Sequence, residues 1–261
     1  MNKITPLVLW SEVAPAWMLN LPDGLEEFFF KMYKCFLYEE RYMLFLKGLG
    51  NTLLLTLFAL LIGIALGIVV SLIRVTWDKN SDEMSGLPKF ILRIANAISK
   101  VYLTVIRGTP VVVQILLLNF VVFATSRNKV LVGCLCFGIN SGAYVAEIFR
   151  SGIMSIDVGQ MEAGRSLGFG YIPTMSHIIL PQAFKNVLPP LCNEFIVLLK
   201  ETAVVGYIGL SDLTYAASTV GGATYEYLFP LLLAAVIYLI MVIFFTHLVE
   251  RLERRLRSSE R

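Results

Sequence analysis

The apolar residues of this chain gather in long unbroken runs, separated by short polar stretches. Residues 50–73 carry no charged side chain. A helix of that length reaches about 36 Å, enough to cross a bilayer with some tilt. Residues 227–249 repeat the pattern, 130–149 are a further apolar run with Asn140 and Glu147 near its end, and 183–199 give a shorter one that contains Asn193 and Glu194. The run after Pro110 is too short to span alone, so the second span is expected at 98–124, bent at Gly108–Pro110. The pattern therefore predicts an all-α integral membrane protein of about five transmembrane helices. Residues 26–47 mix Phe, Tyr and Leu with Glu26, Glu27, Lys31, Lys34, Glu39, Glu40, Arg41 and Lys47, too charged to span. They predict an amphipathic helix lying on the membrane interface. Before them, Pro6, Pro15 and Pro22 mark a surface segment. Residues 74–100 are polar and basic and predict a loop, with a helix from Lys89 onward. Residues 203–226 are small and polar and predict a short helix and loop. The chain divides into an N-terminal segment 1–48, a transmembrane domain 49–250 and a basic tail 251–261.

Composition agrees with the pattern. Of 261 residues 57% are apolar, and mean hydropathy is +0.72; soluble domains sit near 45–50% apolar. The net charge of +3 is small and gives no reason to expect a nucleic-acid partner. Its placement matters more. Arg74, Lys79, Lys89, Arg93 and Lys100 follow the first span, and Arg251, Arg254, Arg255, Arg257 and Arg261 follow the last. The loops after the second and fourth spans hold only Arg127, Lys129 and Lys200. The positive-inside rule then puts the 74–100 stretch, the 150–182 loop and the C-terminus in the cytoplasm, with the N-terminus outside. Cys35, Cys134, Cys136 and Cys192 follow no disulfide or metal spacing, and Cys134 and Cys136, inside an apolar run, are expected as small buried apolar side chains. No phosphate-binding G-x-x-x-x-G-K-[ST] loop, no H-E-x-x-H and no G-x-S-x-G is present. No catalytic or metal site is expected, and no cofactor is bound by this chain. Gly63 and Gly67 are spaced to let another helix approach closely, though chance produces such pairs in glycine-containing spans.

One polar segment lies between the two apolar halves. Glu162-Ala163-Gly164-Arg165-Ser166-Leu167-Gly168 reads as a short helix closed by the Gly168-Phe169-Gly170 turn, running on to Ile178, Leu180 and Pro181. This spacing resembles the EAA loop of ABC-transporter membrane subunits: Glu-Ala-Ala, three residues, Gly, nine residues, Ile-x-Leu-Pro. It departs at Gly164, where the family usually has alanine, and that exchange weakens the local helix by roughly 1 kcal/mol. Arg107-Gly108-Thr109-Pro110 followed by Gln114, and the run from Gly142 to Ile153, resemble the polar amino acid permeases of that class. The resemblance covers about residues 45–250.

The resemblance implies a type I importer permease, the membrane subunit of a binding-protein-dependent amino acid importer of the histidine/glutamine type. It implies separate ATP-binding cassette subunits that carry the hydrolysis, a second permease copy or paralogue, an extracytoplasmic solute-binding protein, an amino acid substrate and a lipid surround. Coupling to the ATPase is expected at a cytoplasmic helix comprising Glu162, Ala163, Gly164, Arg165, Gly168 and Phe169. The substrate pathway is expected near Gln114, Asn119, Asn193, Glu194, Lys200, Glu201 and Thr202. Gln114 and Asn119 point about 140° apart on a helix, which favours Gln114 for the path. Acidic groups in excess near the path point to a cationic amino acid, unless Glu194 or Glu201 pairs with Lys200. Arg107 is expected at the cytoplasmic boundary in a structural bend, with a solute-carboxylate ligand as the rival reading. Two other classes share the composition. A self-contained channel or secondary transporter fits poorly, because no internal repeat is evident. A plain membrane scaffold fits poorly with polar side chains inside the spans, which are costly and tend to line a cavity.

Overall fold

The computed structural model describes residues 22–258 together with Trp10, residues 12–15 and Met18. Most of the expected N-terminal surface segment and the last residues of the basic tail therefore lie outside the described residues. The described residues contain no strand. The ordered elements are α1 (Asp23–Met32), α2 (Tyr42–Asn80), α3 (Gly86–Gly108), α4 (Val111–Leu117), α5 (Lys129–Met154), α6 (Val158–Ser166), α7 (Tyr171–Thr174), α8 (Leu180–Glu201), α9 (Leu213–Thr224) and α10 (Leu228–Ser258). Wide π-turns follow α1, α4 and α7 at Tyr33–Leu37, Leu118–Val122 and Met175–Ile179. Among the described residues three helices are long and apolar enough to cross a membrane: Tyr42–Asn80, Lys129–Met154 and Leu228–Leu256. Gly86–Gly108 and Val111–Val122 pass that test jointly but bend by 109° between them.

Several expectations change. The stretch 74–100 is no loop: α2 runs through Asn80, and α3 starts at Gly86. The helix expected from Lys89 lies inside α3, whose first turn already forms at Gly86. Residues 26–47 are not one interfacial helix. After α1 the chain turns sharply at Tyr38–Glu40, where Glu39 and Glu40 both take left-handed φ, 54° and 53°. Arg41 braces the turn, donating from Nη1 to the Lys34 carbonyl at 2.9 Å and lying over the Tyr38 ring at 5.0 Å. The first long helix then begins at Tyr42, with no break at Gly48 or Gly50. The helix Leu180–Glu201, expected as the fourth span, is not apolar enough to join the three. It carries Lys185, Glu194, Lys200 and Glu201, with Pro189 and Pro190 inside it.

The described residues fall into two compact units, one comprising those up to Leu53 with 203–241 and the other comprising 54–202 with those from Val242 on. In the first unit Cys35, Phe45, Leu213, Ala217, Val220 and Ala234 form a buried core, ringed by Phe36, Leu44, Phe229 and Leu233 among others. The start of α2 docks on the backbone that leads into α9. A Cβ at Gly48 would come within 2.6 Å of the Asp212 carbonyl oxygen. Asn51 donates to the Ser211 carbonyl at 2.6 Å, and the Leu213 N–H donates to Thr52 Oγ1 at 3.3 Å. Fully buried Asp212 caps α9 by accepting from the N–H groups of Thr214 and Tyr215.

In the second unit α2 and α5 meet through two interleaved glycine pairs. A Cβ at Gly63 would meet Ser141 Oγ at 2.9 Å, and one at Gly67 would meet Val145 Cγ1 at 2.5 Å. In return, a Cβ at Gly138 would meet Ile62 at 2.5 Å, and one at Gly142 would meet Leu66 Cβ at 3.0 Å. Gly63-x-x-x-Gly67 thus has a partner, Gly138-x-x-x-Gly142, on the facing helix. Tails of lipid are as apolar as leucine, so close backbone approach and dispersion hold such a pair together. Replacing Gly67 by leucine should therefore overpack the contact and cost about 1–3 kcal/mol. The check is thermal unfolding in detergent, with Gly50→Leu as control: a Cβ at Gly50 meets nothing within 4 Å. An unchanged midpoint for Gly67→Leu would contradict this packing.

Candidate functional site

The second unit carries both groups of expected functional residues. The first is the helix α6 and its surroundings. Asp157 starts α6 by accepting from the Gly159 N–H at 2.6 Å. Its end is a complete Schellman closure: the Gly168 N–H donates to the Arg165 carbonyl at 2.9 Å and the Phe169 N–H to the Gly164 carbonyl at 3.1 Å. Gly168 makes this possible with φ +85°, and the space around it is open, so its backbone conformation, not its size, is what matters. The helix begins at Val158, one turn before the residue pattern places it.

Gly164 has a different reason. It is buried, and a Cβ there would lie 2.5 Å from Thr174 Cγ2 and 2.8 Å from Thr174 Oγ1. The helix presses its backbone onto α7, so the departure from alanine is a packing requirement rather than only a weaker helix. Below it Val75, Ile153, Ile179 and Ala183 form a buried core with Ile156, Met161 and Met175 packed against it. Gln182 donates to Gln160 at 3.2 Å and Asn186 to Ser155 Oγ at 2.9 Å. These bonds tie α6 and its entry to α8. Glu162, Ala163 and Arg165 point to solvent. So do Val158 (73% exposed), Leu167 (76%), Ile172 (76%) and Phe169 (49%).

The second group centres on the α3–α4 corner. Ile106 would normally give its carbonyl to the N–H of residue 110, and proline there has none. Gln114 Nε2 takes over, donating to Ile106 O at 2.8 Å and to Thr109 O and Oγ1 at 3.1 and 2.9 Å. Its Oε1 accepts from Asn140 Nδ2 at 3.0 Å. Gln114 therefore spends its polar atoms clasping the bend to α5. Asn119 is also buried, and it turns to a different partner, accepting from Lys129 Nζ at 2.8 Å. Ser141 donates to Glu194 Oε1 at 2.8 Å, joining α5 to α8 inside the unit. Asn193 and Lys200 are exposed, Glu201 is half-buried, and Thr202 is buried with its hydroxyl on the Leu199 carbonyl at 3.1 Å. The structure thus joins Gln114 with Asn140, and Glu194 with Ser141, but shows no shared site for all seven. Asn140 and Ser141 are not among the expected pathway residues; the signal for Asn140 is a polar side chain inside an apolar span, and Ser141 stands next to it.

Arg107 is exposed, its guanidinium 5.5 Å from the Tyr144 ring centroid. Arg150 pairs with Glu147 at 2.7 Å and Asp78 at 3.7 Å, linking the ends of α5 and α2. Among the described residues no group of His, Cys, Asp and Glu is arranged to hold a metal.

A valine at position 168 should unwind the last turn of α6, at a cost of about 1–2 kcal/mol for a branched side chain forced into the left-handed region. Limited proteolysis in detergent should show new cleavage at residues 165–170, while Gly170→Val stays resistant: Gly170 has ordinary φ. Equal resistance of the two variants would refute the role given to φ.

The likeness to known proteins agrees with this geometry. A family described as "Binding-protein-dependent transport system inner membrane component" matches residues 85–258. The chain is 38% identical over 218 residues to the arginine transport system permease protein ArtQ of Bacillus subtilis, covering 82% of this chain and 93% of that one. It is 32% identical over 222 residues to the putative glutamine transport system permease protein GlnP of Rickettsia prowazekii, covering 84% and 95%. Among solved structures, the chain is similar to one from an amino acid ABC transporter with histidines: TM-score 0.73, 41% identity, 84% and 98% covered. A chain of the inward-facing MetNI methionine ABC transporter shares the fold, with TM-score 0.68 at 19% identity over 82% and 96%. The family that the 162–181 spacing resembles is the one these matches give. This chain belongs to the binding-protein-dependent transport system inner membrane components, and it is a multi-pass membrane permease.

Proposed function

We propose that this chain forms the translocation path of an ATP-driven amino acid importer, and that α6 is where a separate ATP-binding cassette subunit pushes on it. The observation that carries this is the build of α6. The helix is capped at both ends, pressed onto α7 at Gly164, tied to α8 by Gln160 and the Ser155–Asn186 bond, and rimmed by exposed Val158, Leu167, Phe169 and Ile172. An apolar rim around a polar helix end is what a partner groove buries. Only three residues separate α5 from α6, and the α7 segment runs directly into α8. A force on α6 therefore reaches both helices, and through Ser141 and Glu194 the contact between them.

The basic residues support a cytoplasmic α6, an external N-terminus and a cytoplasmic C-terminus. An external solute-binding protein and a second permease, either a copy or a paralogue, complete the proposed assembly. The relatives named for arginine and glutamine support an amino acid as the solute. Glu194 supports a cationic one, since its partner is the Ser141 hydroxyl and not a basic side chain; Glu201 has the charge of Lys200 within reach, and its share is what the uptake test below decides.

Two experiments test these readings. Replacing Leu167 and Ile172 together by aspartate should abolish co-purification of the ATPase subunit while leaving insertion and detergent stability unchanged. Retained co-purification would exclude α6 as the docking point. For the solute, Glu201→Gln should lower arginine uptake by tenfold or more and leave glutamine uptake near wild type, one lost charge interaction being worth about 1.4 kcal/mol or more. An equal fall for both, or none, would remove Glu201 as the selective group.

A further inference from the structure

Three non-glycine residues among those described take left-handed φ: Glu39 at 54°, Glu40 at 53° and Tyr225 at 58°. Residues with a side chain rarely adopt that conformation, and it lasts only where the surroundings hold it. All three belong to the first unit. Glu39 and Glu40 stand where the N-terminal segment joins α2, and Tyr225 forms the turn between α9 and α10. Tyr225 is 89% exposed, so its own side chain does not fix it.

What fixes it is the N-terminal segment. Lys34 donates from Nζ to the Thr224 carbonyl at 2.7 Å. Thr224 is the last residue of α9, and the final carbonyls of a helix have no partner within it. Lys34 is thus a C-terminal cap brought from 190 residues away. Lys31 pairs with Glu226 at 3.4 Å and with Glu27 at 2.8 Å. The Phe28 and Phe229 rings meet edge to face, their centroids 5.4 Å apart. Cys35 has no exposed surface and shares a core with Leu213, Ala217 and Val220 of α9 and Ala234 of α10. Phe36 carries the contact to Phe45 of α2, ring to ring at 5.7 Å. Inside the turn the Glu226 N–H donates to Thr224 Oγ1 at 3.2 Å.

The relatives do not account for this piece. ArtQ and GlnP match 82% and 84% of this chain while using 93% and 95% of their own. The family match runs from residue 85 to 258, so the surplus falls on the N-terminal side.

We propose that residues 23–41 are a clasp that locks the α9–α10 turn and stays shut while the transporter works, so that the start of α2, α9 and the start of α10 move as one body. Opening it would uncover Cys35 and leave the Thr224 carbonyl without its donor. A lid that opened in each cycle would rest on exposed contacts, not on a fully buried side chain. The inference rests on the chain being a permease, and on neither the solute nor the docking of α6.

Two measurements on the whole transporter, with its partner subunits, decide this. A carbodiimide joins an amine to a carboxylate only where the two touch. Applied briefly to the wild type, it should link Lys31 to Glu226, read by peptide mass, with equal yield at rest and during ATP-driven uptake. A yield that falls to half or less during uptake overturns the proposal, since the clasp then opens. Absence of the link in both states overturns it too, and neither result needs a variant to fold. Hydrogen exchange tests the lock. In Lys31→Met/Lys34→Met, which keeps two long apolar stems in place, the amides of 225–228 should exchange at least tenfold faster than in the wild type. Those of 215–220 should keep the wild-type rate. Unchanged exchange at 225–228 shows a turn that holds without the clasp and overturns the proposal. Faster exchange along the whole of α9 does so as well, the contact then serving the fold and not the turn.

Discussion

Close approach of α2 and α5 is the contact on which the rest of the second unit depends. Two helices in lipid gain nothing from hiding leucines from each other. What they can gain is dispersion between backbones brought into contact, and only glycine permits it here. Gly63 and Gly67 receive Ser141 and Val145, and Gly138 and Gly142 receive Ile62 and Leu66. With α5 held at that distance, its polar side chains are fixed in place. Asn140 meets Gln114 at the α3–α4 corner, and Ser141 meets Glu194 of α8. Tyr102 of α3 donates to the Ile139 carbonyl at 2.6 Å beside them. Unpaired polar groups are costly away from water, so these bonds position α3, α4 and α8 around α5 more sharply than apolar packing does.

The same helix leads directly into α6. Past Met154 the chain turns through three residues into α6, whose backbone is pressed against Thr174 at Gly164. The short α6 is capped at both ends, by Asp157 and by the Gly168 closure. Its exposed apolar rim is a poor surface for water and a good one for a partner. The polar corner at Gly108–Pro110 is built the opposite way. There a proline removes a backbone donor and one glutamine side chain replaces it, so the bend keeps its backbone carbonyls bonded.

The sequence by itself determined the membrane class, the long apolar helices, the break at Gly108–Pro110 and the short helix closed at Gly168. All four follow from local chemistry: unbroken apolar runs, a ring that lacks an N–H, and a residue tolerant of positive φ. It did not determine which residues along the polar stretches are helical. The 74–100 stretch reads as a loop when charge is taken for exposure to water. Apart from the turn at residues 81–85 it is helix nonetheless, since a helix satisfies its own backbone and tolerates Lys and Arg on an outer face. Nor did it determine partners. The role of Gln114 is open until the Ile106 carbonyl and Asn140 are seen beside it, and Gly164 reads as a weakness until Thr174 is found against it. Pairings such as these join residues far apart in the chain. Nothing local specifies them, so only the tertiary structure decided them.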